Sequence, residues 1–435
     1  MNNLQMLSYP SGVLFIFVAI AGIILYFLFR RINAETLSLG LCASLLLLPL
    51  PELFWSERIL QSVGFLTYEN LVLVMTTGLP QVAVLSNVFL LLFAAILATS
   101  LILSNSRPRA KFKLTLLATI YFAFCLMRLE ISIGMLLSLY IFMVTILFGE
   151  FKVWMIKPLF FMSYGIFCIA SLTGVFLLPH VCIDLDGKWN GIMLNVNAFT
   201  TPLGFTLIML ILLDYYKLCS LRNTLLLSLP LLLLVLMVRS RAAIICFTAL
   251  MFCFLMIRVH ATPLLIVLGF AALFVAIIMV PDEETVDFSS LTSLRWDMWG
   301  FCLDAITKHP LLGNGADFFK WENRLEFPLQ LRHMGTAFST FIQVAVCFGM
   351  LGFSVLVLFY VMLYKTLSQH KNKMMLLFFI LFFLPCTVET SFWPLQCNPS
   401  NICYLISLLI IIRIPNELPI QTVSTKDAEK KPCPE

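Results

Sequence analysis

Thirteen apolar runs, each long enough or nearly so to cross a bilayer as a helix, divide this 435-residue chain and constrain its fold more than any other feature. They fall at about 12–29, 37–54, 84–103, 114–127, 131–149, 158–178, 199–216, 223–238, 242–257, 263–280, 337–364, 374–392 and 401–414. About 20 residues of helix span the hydrocarbon core. In lipid every backbone polar group must be satisfied within the chain, so repeated runs of this kind fold as helices. Composition agrees: 61% of residues are apolar and only 12% charged, against roughly 25% charged in soluble domains. A soluble globular fold is excluded. The expected architecture is an all-α polytopic bundle of about 12–13 spans over residues 1–414, with a polar tail at 415–435. The segment 71–83 is ambiguous between span and loop. Met1–Ser11 lacks a basic n-region and the first run is followed by Arg30 and Arg31, which predicts a retained span and not a cleaved signal. Most of the 13 cysteines lie inside apolar runs, and no Cys-x-x-Cys or Cys/His metal spacing occurs, so they read as small hydrophobes.

Positive charge sets orientation. Arg30/Arg31, Arg107–Lys113, Lys152/Lys157, Lys217/Arg222, Arg258, Lys365–Lys373 and the tail are expected inside. The longest gap between spans, about 281–336, carries nine Asp/Glu against five Lys/Arg and is expected outside. Within it, Ser293 is positioned to cap a helix Leu294–Lys308 that stops at Pro310, with Trp299, Leu303 and Ile306 on one face and Arg295 one turn before Trp299. Such a helix either lies over the bundle as a lid or holds Arg295 over a site at the outer interface.

Basic residues near the outer ends of spans are the next candidates: Lys188, Arg239, Arg241, Arg295, Arg324 and Arg332. Arg239 and Arg241 stand in a turn that barely interrupts two apolar runs, where a charge faces a cavity or partner, or snorkels to headgroups. Guanidinium groups suit phosphate because they bind it bidentately and stay charged. Glu389, at the end of an apolar run, is either ion-paired or functional. Asp184 and Asp186 have the spacing of a metal-binding pair, a pattern common by chance. Among the five histidines, His333 is placed to act as a general base at neutral pH, or is merely solvated.

Four stretches together resemble the O-antigen ligase/polymerase superfamily of bacterial glycan-assembling membrane enzymes. Lys188, Gly191, Asn195 and Asn197 match a basic–Gly–Asn-x-Asn entry into a span. Ser240 and Arg241 match a Ser-Arg-Gly-Ala turn, with Ala242 replacing the glycine. Arg295, Trp299, His309, Pro310, Gly313 and Gly315 match an Arg-x3-Trp helix followed by His-Pro-Leu-x-Gly-x-Gly. Gln343, Gly349 and Gly352 match the start of the next span. One departure stands out: where ligases of the family place a His-Asn pair, this chain has Phe338-Ser339.

The resemblance implies a multi-pass enzyme of the bacterial inner membrane that moves glycan from a polyprenyl pyrophosphate, with no cofactor, no metal and no nucleic-acid partner. With that chemistry Arg241 and Arg295 are expected at the pyrophosphate and His333, or an acidic residue such as Glu389, as base, with Lys188, Asn197, Arg239, Arg324, Arg332 and Glu389 around the substrate. A surface-polysaccharide polymerase is expected, working with membrane lipid and a chain-length regulator. A ligase acting on lipid A core and a flippase of the same glycans are the alternatives. Internal two-fold repeats would mark a transporter; the polar chemistry here gathers in one asymmetric loop.

Overall fold

The computed structural model describes residues 34–47, 92–103, 133–172, 200–238, 240–259, 295–319, 321–332, 336–370, 373–388 and 399–414. The runs at 12–29, 114–127 and 263–280 and the segment 71–83 lie outside them, as does the tail. The described residues form helices and turns without strands. In chain order these are α1 (Ala34–Leu47), α2 (Leu92–Leu103), α3 (Ile133–Phe148), α4 (Val153–Leu172), α5 (Thr200–Tyr215), α6 (Leu221–Val238), α7 (Arg241–Val259), α8 (Arg295–Lys308), α9 (Thr340–Ser368), α10 (Leu376–Val388) and α11 (Pro399–Arg413). Three of them, α4, α6 and α9, are long and apolar enough to cross a membrane. Shorter apolar helices accompany them, and the whole is an all-α polytopic bundle.

The centre of the bundle is α5. From Thr200 to Asp214 every residue is buried, the pattern of a helix apolar all round. It is enclosed by α4, α6, α7, α10 and α11. By contrast α6 buries one stripe (Thr224, Ser228, Leu231, Leu234, Val235 and Val238) and exposes Leu225, Leu229, Leu232 and Leu236. Leucines so placed find their solvent in lipid. At the end of the bundle where α3 and α11 stop, Arg413 donates to the terminal carbonyls of Ile146 (3.3 Å) and Leu147 (2.9 Å). A cation there satisfies carbonyls that α3 leaves without partners and complements its dipole. The neighbouring turn holds Lys152 3.6 Å from Glu35, which also accepts from the Trp154 indole at 3.0 Å.

The run at 337–364 is not one straight span. Gly349 has φ 64°, ψ −166° and breaks α9 into two arms. The Phe341 and Tyr360 ring centroids are 5.3 Å apart, although 19 residues of straight helix would separate them by roughly 28 Å. The arms therefore fold into a V. A break inside an apolar bundle strands backbone groups, and the strap 309–315 satisfies them. The N–H groups of Asn314 and Gly315 donate to Val346 O (2.8 Å) and Cys347 O (2.9 Å) before the break. After it, Met350 and Leu351 donate to Pro310 O (2.8 Å) and Leu311 O (3.4 Å). Strap and break fit only because Gly313 and Gly349 lack side chains. A Cβ on Gly349 would strike the Leu311 carbonyl, and one on Gly313 would strike the Cys347–Gly349 backbone.

Helix α8 forms where the capping and stop signals place it, and packs on α9. Its facing differs from the expectation. Met298, Cys302 and Ala305 are buried, Trp299 and Ile306 are only partly so, and Leu303 is 57% exposed. Small residues let α8 approach α9 closely, which shifts the buried stripe away from Leu303. Burial pushes the Cys302 thiol up to about 12. Beyond the strap, Phe301, Phe318, Phe319 and Phe327 pack ring to ring, with Phe301–Phe327 centroids 4.6 Å apart. This loop is a folded unit with a small aromatic core.

Candidate functional site around Arg295 and the turn before α9

The turn 336–339 is held through both backbone groups of one residue. The Ala337 N–H donates to Gln343 Oε1 (2.7 Å), and its carbonyl accepts from the Trp299 indole (2.8 Å). Trp299 belongs to α8 and Gln343 to the first arm of α9, so the turn is fixed where the two helices meet. Phe338 takes φ 50°, a left-handed conformation that costs an aromatic residue energy and is kept where surroundings enforce it. Its ring lies under the Arg295 guanidinium, 5.4 Å from centroid to Cζ. A cation over an aromatic face gains about 0.5–2 kcal/mol. The consequence is a partly buried arginine with a fixed position at the first residue of α8.

Ser339 occupies the N-cap of α9 in extended conformation, yet its hydroxyl does not close the cap. It reaches the Cys386 carbonyl of α10 at 3.5 Å. The Tyr360 hydroxyl donates to the Phe382 carbonyl of the same helix at 2.8 Å. These two acceptors bracket Pro385, whose ring disturbs the helix ladder there. From Cys386 a buried polar line continues through its thiol to the Tyr404 hydroxyl (3.6 Å) and on to Thr201 (3.1 Å). Thr200, the first residue of α5, is buried beside it, and its hydroxyl has no partner among the described residues. So α5, α9 and α11 bring hydroxyls to the thiol and carbonyls of α10 in an otherwise apolar bundle, next to the turn on which Arg295 rests.

The Ser-Arg motif opens α7. Ser240 is buried and caps the helix, its hydroxyl 3.4 Å from the Ala243 N–H and its carbonyl accepting from Ile244 at 3.0 Å. This seats Arg241 at the first helical position. The start of α7 lies against α5, because a Cβ on Gly204 would come within 3.3 Å of Cys246 Sγ. Arg241 therefore begins a helix at the same end of the bundle as Thr200. Arg332 is tied to its own loop, its Nε donating to Phe327 O at 3.1 Å. Arg324 is partly buried in the short helix Trp321–Arg324. Lys188, Asn197, Arg239, His333 and Glu389 lie outside the described residues, as do Asp184 and Asp186. Among the described residues no cluster of three or more His, Cys, Asp or Glu could hold a metal ion.

Sequence reasoning missed Thr201, Tyr404, Cys386 and the bridging role of Gln343. Hydroxyls spaced singly through apolar helices carry no periodic signal, and only packing reveals that they meet. Ser339 did carry a signal: it stands at one of the two positions where the family's ligases have His-Asn.

A family model described as O-antigen ligase matches residues 226–357. No curated protein matches the chain. The matched stretch contains the Ser240-Arg241 turn, all of α8, the strap and the break at Gly349. Glycan-assembling enzymes make up that family. Residues 226–357 are thus similar to the O-antigen ligase/polymerase superfamily, the family that the sequence motifs resemble.

Proposed function

We propose that the protein is a surface-polysaccharide polymerase of the bacterial inner membrane. It would transfer glycan from a polyprenyl pyrophosphate to a lipid-linked acceptor, so that the growing chain stays on its carrier. An acceptor hydroxyl attacks the anomeric carbon, forming the new glycosidic C–O bond. The bond from that carbon to the pyrophosphate oxygen breaks, and the leaving group departs with the electron pair. Arg241 and Arg295 neutralise the charge that develops on the pyrophosphate, a task that needs no metal ion. His333 takes the proton released by the acceptor. Lys188, Asn197, Arg239, Arg324, Arg332 and Glu389 line the path of the sugars and the diphosphate. The loop 281–336 faces the non-cytoplasmic side, and a chain-length regulator acts on the same enzyme.

The observation that carries this reading is Arg295 fixed over Phe338 beside Ser339. A guanidinium, a group suited to phosphate, lies next to the two positions where a ligase of the family has His-Asn. Phe and Ser there supply neither an imidazole nor an amide, which favours the polymerase over transfer to lipid A core. The matched family's description as a ligase keeps that transfer as the second reading. Deletion of the gene, with gel analysis of lipid-linked and surface glycans, separates them. Surface glycans of a single repeat are expected. Long chains stranded on the carrier lipid would identify a ligase, and absence of any glycan at the outer face would identify a flippase.

A further inference from the structure

A groove lies at the opposite end of α5 from the hydroxyl line, and the proposed glycan chemistry does not use it. It is an open groove lined by the start of α4, the end of α5 and the start of α6, with a volume of about 860 Å³. We propose that it is a binding site for one anionic phospholipid.

The lining combines basic and polar groups with apolar ones. Lys157, Lys217 and Asn223 stand at the polar part, while Phe161, Leu218 and Leu226 supply the apolar part. Along α4 the order is Trp154, Lys157, Phe161, about one turn apart each. Trp154 is 45% exposed and Phe161 53%. Tryptophan favours the headgroup level of a bilayer and phenylalanine the acyl level, so this face of α4 matches the polarity gradient of a phospholipid. The exposed leucines of α6 continue the apolar surface beyond the groove.

Charge matches as well. The two ammonium groups face one buried carboxylate, Asp214, leaving an excess of one positive charge for a phosphodiester. The amino end of α6 opens on the groove and adds a favourable dipole.

The backbone supplies a separate argument. Lys217 has φ 57°, at the point where α5 ends and the N–H groups of Leu218 and Cys219 turn back to Leu213 O (2.8 and 3.2 Å). Helix ends of this type normally carry glycine, which adopts the left-handed conformation without strain. A lysine kept there places its ammonium over the groove at a cost in stability, the pattern of a residue retained for binding. Neither Lys157 nor Lys217 makes an ion pair among the described residues.

The test is native mass spectrometry of the full-length protein in detergent, titrated with dioleoyl phosphatidylglycerol or dioleoyl phosphatidylcholine. The wild type is expected to retain one phosphatidylglycerol with at least about tenfold preference. Lys157→Gln with Lys217→Gln should abolish that preference, while Lys365→Gln with Lys373→Gln, in another basic turn, should keep it. Lys217→Gly relieves the strained backbone as it removes the charge, so it should raise the melting temperature and still weaken the preference. Equal retention of the two lipids by the wild type would overturn the proposal. So would an unchanged preference in the Lys157/Lys217 variant, or displacement of phosphatidylglycerol by an equimolar polyisoprenyl phosphate. This site and the glycan site stand on different residues, so either can fail without the other.

Discussion

Helices α6 and α9 both contain a residue that breaks helices, and only one of them breaks. In α6, Pro230 sits inside a continuous helix. It removes one donor, and its fixed φ is already helical, so the chain passes through with one bond missing. In α9, Gly349 takes a conformation no helix contains, and the two arms fold against each other. The difference lies in what surrounds the breaker. Among the described residues α6 packs against other helices, whereas α9 meets a strap that donates to the carbonyls before the break and accepts from the N–H groups after it. A glycine makes a break affordable, and a partner for the freed N–H and C=O groups makes it stable.

Gly349→Ala should have the largest effect. A Cβ in this glycine-only region of positive φ costs about 1–3 kcal/mol and collision with the Leu311 carbonyl about 1–3 kcal/mol more. A fall in melting temperature should appear together with alkylation of Cys302, whose buried thiol resists reaction while α8 is docked. A protein of normal stability with Cys302 still protected would show that the strap does not hold the break. The effect of Asn314→Ala should be smaller. It removes two donations, to Ala305 O (3.1 Å) and Val346 O (3.2 Å), which join the end of α8 to α9, at about 1–3 kcal/mol in total. Thermal unfolding checks this, and loss of as much stability as Gly349→Ala would mean that the side chain, not the backbone pairing, carries the dock. Smallest of all, Pro230→Ala restores a donor in α6 and should leave the melting temperature unchanged or slightly raised. A marked fall would break the comparison, because it would give Pro230 a structural task like that of Gly349.

The same contrast explains what could be read from sequence. Runs such as 223–238 were legible as helices because composition and length suffice, and Pro230 changes neither. Helix α8 was legible within one residue, since Ser293 and Pro310 are local signals. Its facing was not: Cys302 and Ala305 bury against α9, and small residues look unremarkable until a neighbour comes close. The fold-back at Gly349 was illegible because its cause lies some 35 residues earlier in the strap. Glycines 313, 315 and 349 each belong to a sequence motif. That Gly313 and Gly349 touch, and so need each other, is a fact of packing. In the site, Arg295 was found through its motif, whereas Thr201 and Tyr404 meet only in three dimensions.

Arg295, fixed by this dock, is proposed to act on the pyrophosphate. Reconstitution of the purified Arg295→Lys protein with a polyprenyl-pyrophosphate-linked repeat unit tests it most directly. Lysine keeps the charge and loses the planar fork. Chain extension should fall at least about a hundredfold while the melting temperature stays near that of the wild type. Extension at the wild-type rate by a folded Arg295→Lys protein would contradict the account.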